Sequence, residues 1–537
     1  MRKPLLSVAD RGFVAFAVSL TVLLIACAQP SLARKPHAVL DRAFQAMGGR
    51  DRLKAVSSIE YTAVGERDMV EQSERPTGPY FIDHFWVHEF RDLLQHRTRI
   101  EQTDEAYAAD QWWLQQPPQQ PQVTVINDDV AAVPAKGGFA FGGAFSIQQN
   151  GEQFAFGPER LLMTAAAASD VKQDPDVVLH GVLHHVLRFD WQGAPCTLFI
   201  NADTGLPWQV TFSRAYPYQV FLHAWGDVTT RITYSAWTLE PSGIVYPREW
   251  AYERVDLPDT RMAIVRLRFN VALDSGQLTV PRNIYNAHHA KLRPIDDIVL
   301  GFGGNGPPHE LAPGITQYPG SWNVAFIKQT DGAVVIEAPL SARYAQQAFD
   351  AARRTYGVPV KAVITTSDSW PHIAGVRQAV ADGISIYALD LNEPILKRLI
   401  AAPHRMEPDD LERHPHAAHF TFVDKPMSVG TGPNRLEIVP YRTATGERQM
   451  MVYFPERKLL YTSDLFAPDG NGGWFTPEYL HEAIGAIERE HLIPDTIFGM
   501  HYDATPYSKI VDALRSFQSS KCDRSCDGQQ RTASRPA

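Results

Sequence analysis

The chain has 537 residues, more than one compact core usually contains, and 44% hydrophobic with 21% charged residues is typical of folded domains and unlike disordered chains. A formal net charge of −9 argues against the basic surface on which nucleic-acid binding depends, so we expect no nucleic-acid partner. Four scattered cysteines, at positions 27, 196, 522 and 526, exclude a disulfide-built scaffold and a four-cysteine zinc site.

Residues 1–33 are predicted to form a secretory signal peptide, because basic residues precede an uncharged stretch at 13–28. That stretch is short for a membrane-spanning helix, which needs about 20 residues. Cleavage after Ala33 is one prediction, and processing at Cys27, in a lipobox-like segment that would carry a lipid anchor, is the other. We therefore expect an exported protein, in the periplasm or attached to the outer membrane as a lipoprotein. Any membrane contact is expected through that anchor alone.

Residues 34–282 are predicted to form a β-rich domain. Apolar residues occupy every second position of Val265–Val271, which places them on one face of a half-buried strand. A helix over Ala38–Met47 precedes the strands and ends at the glycines that follow it. The loose composition of Gly137–Gly151 predicts a long loop.

This domain resembles, faintly, the half-barrels of periplasmic lipoprotein carriers. The resemblance depends on the entry Ala46–Leu53, on the turn Asp203–Pro207 and on the alternating strands. It implies a curved antiparallel sheet around an apolar groove, with no catalytic residues to carry over. An apolar or lipid ligand is what such a groove would hold.

A Gly- and Pro-rich linker is predicted at 283–310, and strands then alternate with helices over 311–518, which indicates a layered α/β arrangement. The remaining residues, 519–537, are predicted to be a disordered tail in which Cys522 and Cys526 could pair. We thus expect an α+β protein of two domains.

The second half resembles the metallo-β-lactamase superfamily over residues 311–518. Its opening hairpin, Gly320–Pro339, precedes a loop, Ser367–His372, at the place where that family has H-x-H-x-D-H. The segment Leu459–Asp464 is similar to the family's apolar strand that ends in T-G-D, and Ile497–His501 is similar to its last metal-binding strand end. The resemblance implies an αββα sandwich with metal ligands at the strand ends.

Taken residue by residue, the resemblance largely keeps the ligands of one metal, although Pro371 replaces an expected ligand, and loses those of the other. His372, Asp464 and His501 stand at positions that bind the second zinc of the family. The positions of the remaining ligands carry residues without imidazole or carboxylate groups, namely Ser367, Ser369, Pro371 and Thr443. Asp368, on the same loop, is a candidate replacement ligand or general base. The residues also have a structural interpretation, in which Asp464 caps a turn and His372 begins a helix without binding metal.

The favoured hypothesis is an exported hydrolase with a degenerate, mononuclear metal site, because two imidazoles and one carboxylate are an adequate set for one Zn²⁺ ion. The substrate would be a small or lipid-like molecule of unknown identity. The alternative hypothesis is a non-catalytic binding protein, in which the half-barrel holds an apolar or lipid ligand and the metallo-β-lactamase fold is a scaffold. The oligomeric state is left open.

Overall fold

The computed structural model describes residues 36–518 except 69–81, 108–120, 136–137, 273, 286–292, 305, 444–445, 467, 469–472 and 475–476. The predicted signal peptide 1–33, with Cys27, and the predicted tail 519–537 lie outside the described residues. Among the helices of the described ranges, none combines the length and apolar character needed to cross a bilayer.

The first part of the chain forms one antiparallel sheet of thirteen strands, in the order β6-β5-β4-β3-β2-β1-β13-β12-β11-β10-β9-β8-β7. The strands are β1 (Ser58–Asp68), β2 (Ile82–Asp92), β3 (Arg97–Tyr107), β4 (Gln122–Asn127), β5 (Val130–Ala135), β6 (Gly138–Phe141), β7 (Lys172–Leu179), β8 (Val182–Trp191), β9 (Ala194–Asn201), β10 (Pro207–Arg214), β11 (Val228–Leu239), β12 (Val245–Arg254) and β13 (Leu257–Phe269). The first and last strands pair in the middle, so the sheet is two meanders joined at β1 and β13. This confirms a large antiparallel sheet, while its half-barrel shape stays a prediction.

The helices of this part are α1 (Pro36–Ala46), α2 (Arg50–Lys54), α3 (Ala144–Phe156), α4 (Pro158–Ala167), α5 (Val220–His223) and α6 (282–285). Leu40, Phe156 and Leu161 of these helices are buried in one cluster with Leu198 and Phe212 of the strands. The prediction of a loop over 137–151 is wrong for the second half of that range, because α3 begins at Ala144. Helices α3 and α4 together connect the two edge strands of the sheet, β6 and β7.

The second part of the chain contains two smaller sheets. The seven-stranded sheet runs β14 (His309–Ala312), β15 (Ile315–Tyr318), β16 (Val324–Gln329), β17 (Gly332–Ile336), β18 (Val360–Thr365), β19 (Ser385–Leu389) and β20 (Phe420–Val423). The six-stranded sheet runs β21 (Met427–Val429), β22 (Leu436–Pro440), β23 (Met450–Phe454), β24 (Leu459–Tyr461), β25 (Thr496–Gly499) and β26 (Tyr502–Pro506). Strands β17 to β20 are parallel, as are β24 and β25, and the other pairs are antiparallel.

The helices of this part are α7 (Ala342–Tyr356), α8 (Trp370–Ile373), α9 (Val376–Ala381), α10 (Glu393–Ala401), α11 (Asp410–Arg413), α12 (Pro477–Arg489) and α13 (507–518). Short 3₁₀ turns lie at Ile295–Asp297, Asp390–Asn392 and Gly432–Asn434. Helix α7 begins where Ser341 Oγ accepts the Tyr344 N–H and ends at Gly357, whose φ of 66° suits a glycine.

Two layers of apolar side chains make this part a sandwich. Ile364 of the seven-stranded sheet and Val452 and Phe498 of the six-stranded sheet share one buried cluster, so the two sheets pack face to face. Helices α7, α9 and α10 cover the outer face of the first sheet, and α12 and α13 cover that of the second. The layer order is α, β, β, α, as the resemblance implied. The predicted domain boundaries at 34, 282, 311 and 518 stay predictions.

The two parts share a buried junction. Tyr216 and Trp225 from the first part lie in the same apolar cluster as the inner face of α7 and α9. The Asp227 N–H donates to Pro403 O over 2.7 Å, and Asp227 Oδ1 accepts the Met406 N–H over 2.9 Å. The rings of Phe221 and Trp370 meet edge to face, 5.4 Å apart, so the first part touches the loop region of the second.

Candidate metal centre

Strand ends from both small sheets meet at one edge of the sandwich. Glu337 follows β17, the loop 366–369 follows β18, and Asp464 and His501 follow β24 and β25. Within each sheet the two strands are parallel, so their carboxyl ends lie on the same side. Ligand sites in layered α/β proteins form at such carboxyl ends, because the loops that leave them converge there.

His372 is placed by a single helical turn. Helix α8 begins at Trp370, and the His372 N–H donates to Ser369 O over 2.8 Å. Pro371 suits this first turn, where a backbone N–H would have no partner within the helix. The turn directs the fully buried imidazole of His372 toward the strand ends.

Both ring nitrogens of His372 contact carboxylates. Nδ1 lies 3.0 Å from Glu337 Oε2, and Nε2 lies 2.8 Å from Asp464 Oδ2. Glu337 is held in turn by Thr366, whose hydroxyl donates to Oε1 and whose N–H donates to Oε2 over 3.3 Å. The imidazole is therefore fixed between two carboxylates that come from different sheets.

Asp464 joins the buried imidazole to a second one nearer the surface. Its Oδ1 lies 3.4 Å from His501 Nε2, and His501 Nδ1 lies 3.1 Å from Ser321 O. Side-chain exposure rises along the series, from 0% for His372 to 18% for Asp464 and 30% for His501. The three predicted metal-binding residues are thus brought together, and their outer end is open to solvent.

The charged groups of this cluster stabilise each other's ionised forms. Burial disfavours the imidazolium form of His372, but the carboxylates of Glu337 and Asp464 outweigh that cost and raise its pKa to about 10. Burial raises the pKa of Asp464, yet His372 and His501 together hold it below its usual value. Without a metal, His372 is a cation between two anions.

Asp368 forms an ion pair with a residue outside the cluster of His372, Asp464 and His501. Its carboxylate pairs with the guanidinium of Arg448, and each of the two side chains is 2% exposed. The Arg448 backbone is itself anchored, because Asn392 Nδ2 donates to Arg448 O over 3.0 Å. The predicted role of Asp368 as ligand or general base stays a prediction, and either role requires that this ion pair be broken. Arg448 was not singled out from the sequence, although an arginine just before the wholly buried strand β23 was a usable signal.

The residues present do not fit a two-metal centre. The remaining ligand positions of the resemblance offer hydroxyls or a proline ring, where zinc needs imidazole, thiolate or carboxylate. Ser367 and Ser369 are nearly buried in the loop, and the Ser369 N–H donates to Ser367 Oγ over 3.3 Å. In the described ranges, no group of three or more His, Cys, Asp or Glu side chains is arranged so that it could hold a metal ion.

For a single ion the donor chemistry does fit. Asp464 contacts Nε2 of both imidazoles, and His372 has on its far nitrogen the carboxylate partner that metal-binding histidines usually have. What separates the cluster from a cage is the direct His372–Asp464 hydrogen bond, which an ion would have to replace.

Comparisons with known proteins give a similarity of fold. No protein-family model matches the chain, and no curated protein matches it. Among solved structures, DIM-1 metallo-β-lactamase has 14% sequence identity and a TM-score of 0.31, covering 40% of this chain and 97% of its own. TMB-1 has 16% identity and a TM-score of 0.31 over the same shares of the two chains.

A third similar structure is the metallo-β-lactamase FIM-1 from Pseudomonas aeruginosa in its mono-zinc form. It has 14% identity and a TM-score of 0.30, and covers 40% of this chain and 97% of its own. The similarity to metallo-β-lactamases thus concerns two fifths of this chain and nearly the whole of each of these enzymes.

Proposed function

We propose that the α/β part is a hydrolase that uses one divalent metal ion, held by His372, Asp464 and His501. One observation carries the proposal: the Asp464 carboxylate lies 2.8 Å from one imidazole nitrogen and 3.4 Å from another, at an edge where strand ends converge. Two imidazoles and one carboxylate suit Zn²⁺ and leave coordination positions for water and substrate. The substrate class is not part of the proposal, because this fold serves many chemistries.

The buried residues orient the ligands. Glu337 accepts the Nδ1 proton of His372, which leaves Nε2 directed at Asp464, and Thr366 fixes Glu337 in turn. Binding at this point requires that the proton between Nε2 and Oδ2 leave. A bound Zn²⁺ ion lowers the pKa of its water and polarises a carbonyl or phosphoryl oxygen. His501, the most exposed of the three, is the residue that an approaching substrate meets first.

Elemental analysis tests the proposal. Purified protein is reconstituted with Zn²⁺, freed of excess metal and measured beside Asp464→Asn, His501→Gln and the control His416→Gln, which changes an exposed histidine before β20. We expect about one zinc per chain in the wild type and control, and loss in the other two variants. A wild type that stays metal-free overturns the hydrolase and leaves the non-catalytic binding protein as the better hypothesis.

We also propose that the protein is exported, with a small-molecule or lipid-like substrate met outside the cytoplasm. The support is the layout of residues 1–33, with basic residues before an apolar stretch. Mass spectrometry of the mature N-terminus separates cleavage after Ala33 from a lipid-modified Cys27. A mature chain that still begins at Met1 contradicts both of these processing predictions.

A further inference from the structure

A cavity of about 460 Å³ lies between α3 and the strands β1 to β4, β12 and β13 of the large sheet. Its volume is within the range of about 300–1,000 Å³ that is typical of small-molecule pockets. Part of its wall is formed by Gln219, Phe221 and Leu222, at the junction with the α/β part. The cavity is separate from the metal centre, so its ligand does not depend on the proposed hydrolase.

The wall of this cavity is mixed in character, unlike an apolar groove. More than half of its residues are polar or charged, and side-chain amides recur at Gln102, Gln122, Gln149, Asn150 and Gln153. Five aromatic residues lie among its apolar ones, Phe85 and Tyr252 included. An acyl chain would leave the buried amide oxygens of Asn150 and Gln153 without partners, at a free-energy cost that its own burial would have to exceed.

Two side-chain amide oxygens on α3 are buried and accept no hydrogen bond from the described residues. Asn150 is 4% exposed, and its Oδ1 has no hydrogen-bond partner within the described residues. The Oε1 atom of Gln153, one helical turn further, is buried and unpartnered in the same described part of the chain. Buried polar atoms are nearly always satisfied by protein, water or ligand. Both residues line the cavity, so a ligand with hydrogen-bond donors would satisfy them.

Most of the charges on the wall are paired within the protein, and Asp104 accepts a hydrogen bond from Gln102 Nε2 over 2.6 Å. Arg67 pairs with Asp83 over 3.2 Å, and Asp68 pairs with Arg261 over 3.1 Å. Glu89 pairs with Arg91 over 2.5 Å. Arg254 likewise lies 3.5 Å from Glu152. A ligand therefore need not supply a charge of either sign.

We infer that this cavity binds a neutral disaccharide. A hydroxyl group both donates and accepts hydrogen bonds, as a side-chain amide does, so the recurring amides match a polyhydroxylated ligand. The apolar C–H face of a sugar ring packs against aromatic rings, which Phe85 and Tyr252 provide. The occupant favoured by this wall differs from the apolar or lipid ligand that the carrier resemblance implied.

One aromatic contact links the wall of this cavity to helix α8, which carries His372. Phe221 lies in that wall, and the Phe221 ring contacts that of Trp370, which begins helix α8. A bound sugar would thus lie one aromatic contact away from the helix that positions His372.

Saturation-transfer NMR on the full chain tests the inference. The probes are maltose, cellobiose, lactose and chitobiose, with decanoate as the apolar competitor. The variants Asn150→Leu and Gln102→Leu remove cavity amides, while Gln95→Leu changes an exposed amide in the turn between β2 and β3 of the same sheet. Gln102 is only partly buried, so its variant is informative if the Asn150 variant does not fold.

We expect at least one disaccharide to give a signal in the wild type and in Gln95→Leu, and a loss of at least tenfold in affinity in the cavity variants. The inference is overturned if none of the four disaccharides binds. It is also overturned if decanoate binds and the leucine variants strengthen that binding, because the cavity is then an apolar one.

Discussion

Two buried histidines in the α/β part differ in charge at neutral pH, one being a cation and the other a neutral ring. His372 lies between Glu337 and Asp464, which outweigh its burial and raise its pKa to about 10. His404, at the junction with the first part, is 7% exposed; its burial and the nearby guanidinium of Arg377 lower its pKa to about 4. The two imidazoles are similarly buried, so the sign of the neighbouring charges decides between cation and neutral ring.

The surroundings of His372 suit a ligand site, whereas the surroundings of His404 stabilise the junction between the two parts. Around His372, the anions come from strand ends and one of them, Asp464, is partly exposed. Around His404, Arg377 is fixed by Asp409 and by backbone carbonyls, and Asp409 lies 3.7 Å from the imidazole. His223 is the other titratable neighbour that acts on His404. Four predictions test this contrast.

The largest effect is expected at the junction. Arg377 is 2% exposed, contacts Asp409 over 2.5 and 3.0 Å, and donates to the carbonyls of Ile400 and Ala402. Arg377→Met leaves a buried carboxylate without its cation, so we expect a loss of about 3–5 kcal/mol in the free energy of unfolding. Urea denaturation measures it. Arg405→Met, at an exposed position nearby, should change the value by less than about 0.5 kcal/mol, and an equal loss in both variants contradicts the prediction.

The next effect is expected at the strand ends. Glu337→Gln keeps the shape of a fully buried side chain but removes the charge that Thr366 and His372 share. We expect a loss of about 2–3 kcal/mol in the free energy of unfolding, because charge-assisted bonds become neutral ones. The exposed carboxylate of Glu456 serves as the control, as Glu456→Gln. Unchanged stability in Glu337→Gln would show that His372 does not need this anion.

His404 should make stability depend on pH. Its folded pKa of about 4 lies below its unfolded value of about 6.5, so the unfolded chain binds a proton first as the pH falls. The stabilisation is complete above about pH 6.5 and is lost progressively toward pH 4. Between pH 7 and pH 5 we expect this group to account for about 2 kcal/mol. Urea titrations of the wild type and His404→Gln at both pH values measure the difference, and identical pH profiles in the two proteins refute it.

The smallest effect on stability is expected at His501, the most exposed residue of the candidate metal centre. His501 is 30% exposed, so His501→Gln should change the free energy of unfolding by less than about 0.5 kcal/mol. The same variant should lose zinc if the proposed function holds. Thermal unfolding and elemental analysis on one preparation separate the two readouts. Zinc loss accompanied by global unfolding would assign His501 to the fold and not to a site.

Local sequence signals located the first helix. It was predicted over Ala38–Met47, and α1 spans Pro36–Ala46. The weak predictions came where tertiary packing overrides composition, as in α3, whose glycine-bordered segment looks like a loop until the sheet supplies an apolar face. The site residues His372, Asp464 and His501 came from a resemblance in order along the chain, and the structure brings them together.

The sequence by itself determined the antiparallel character of the first part and the alternating elements of the second, because periodicity is a local property. Only the tertiary structure decided which polar groups lie together. It pairs Asp368 with Arg448, makes His372 a cation and His404 a neutral ring, and lines the cavity of the large sheet with amides. The physical reason is that pKa values and hydrogen-bond satisfaction depend on neighbours that lie far apart along the chain.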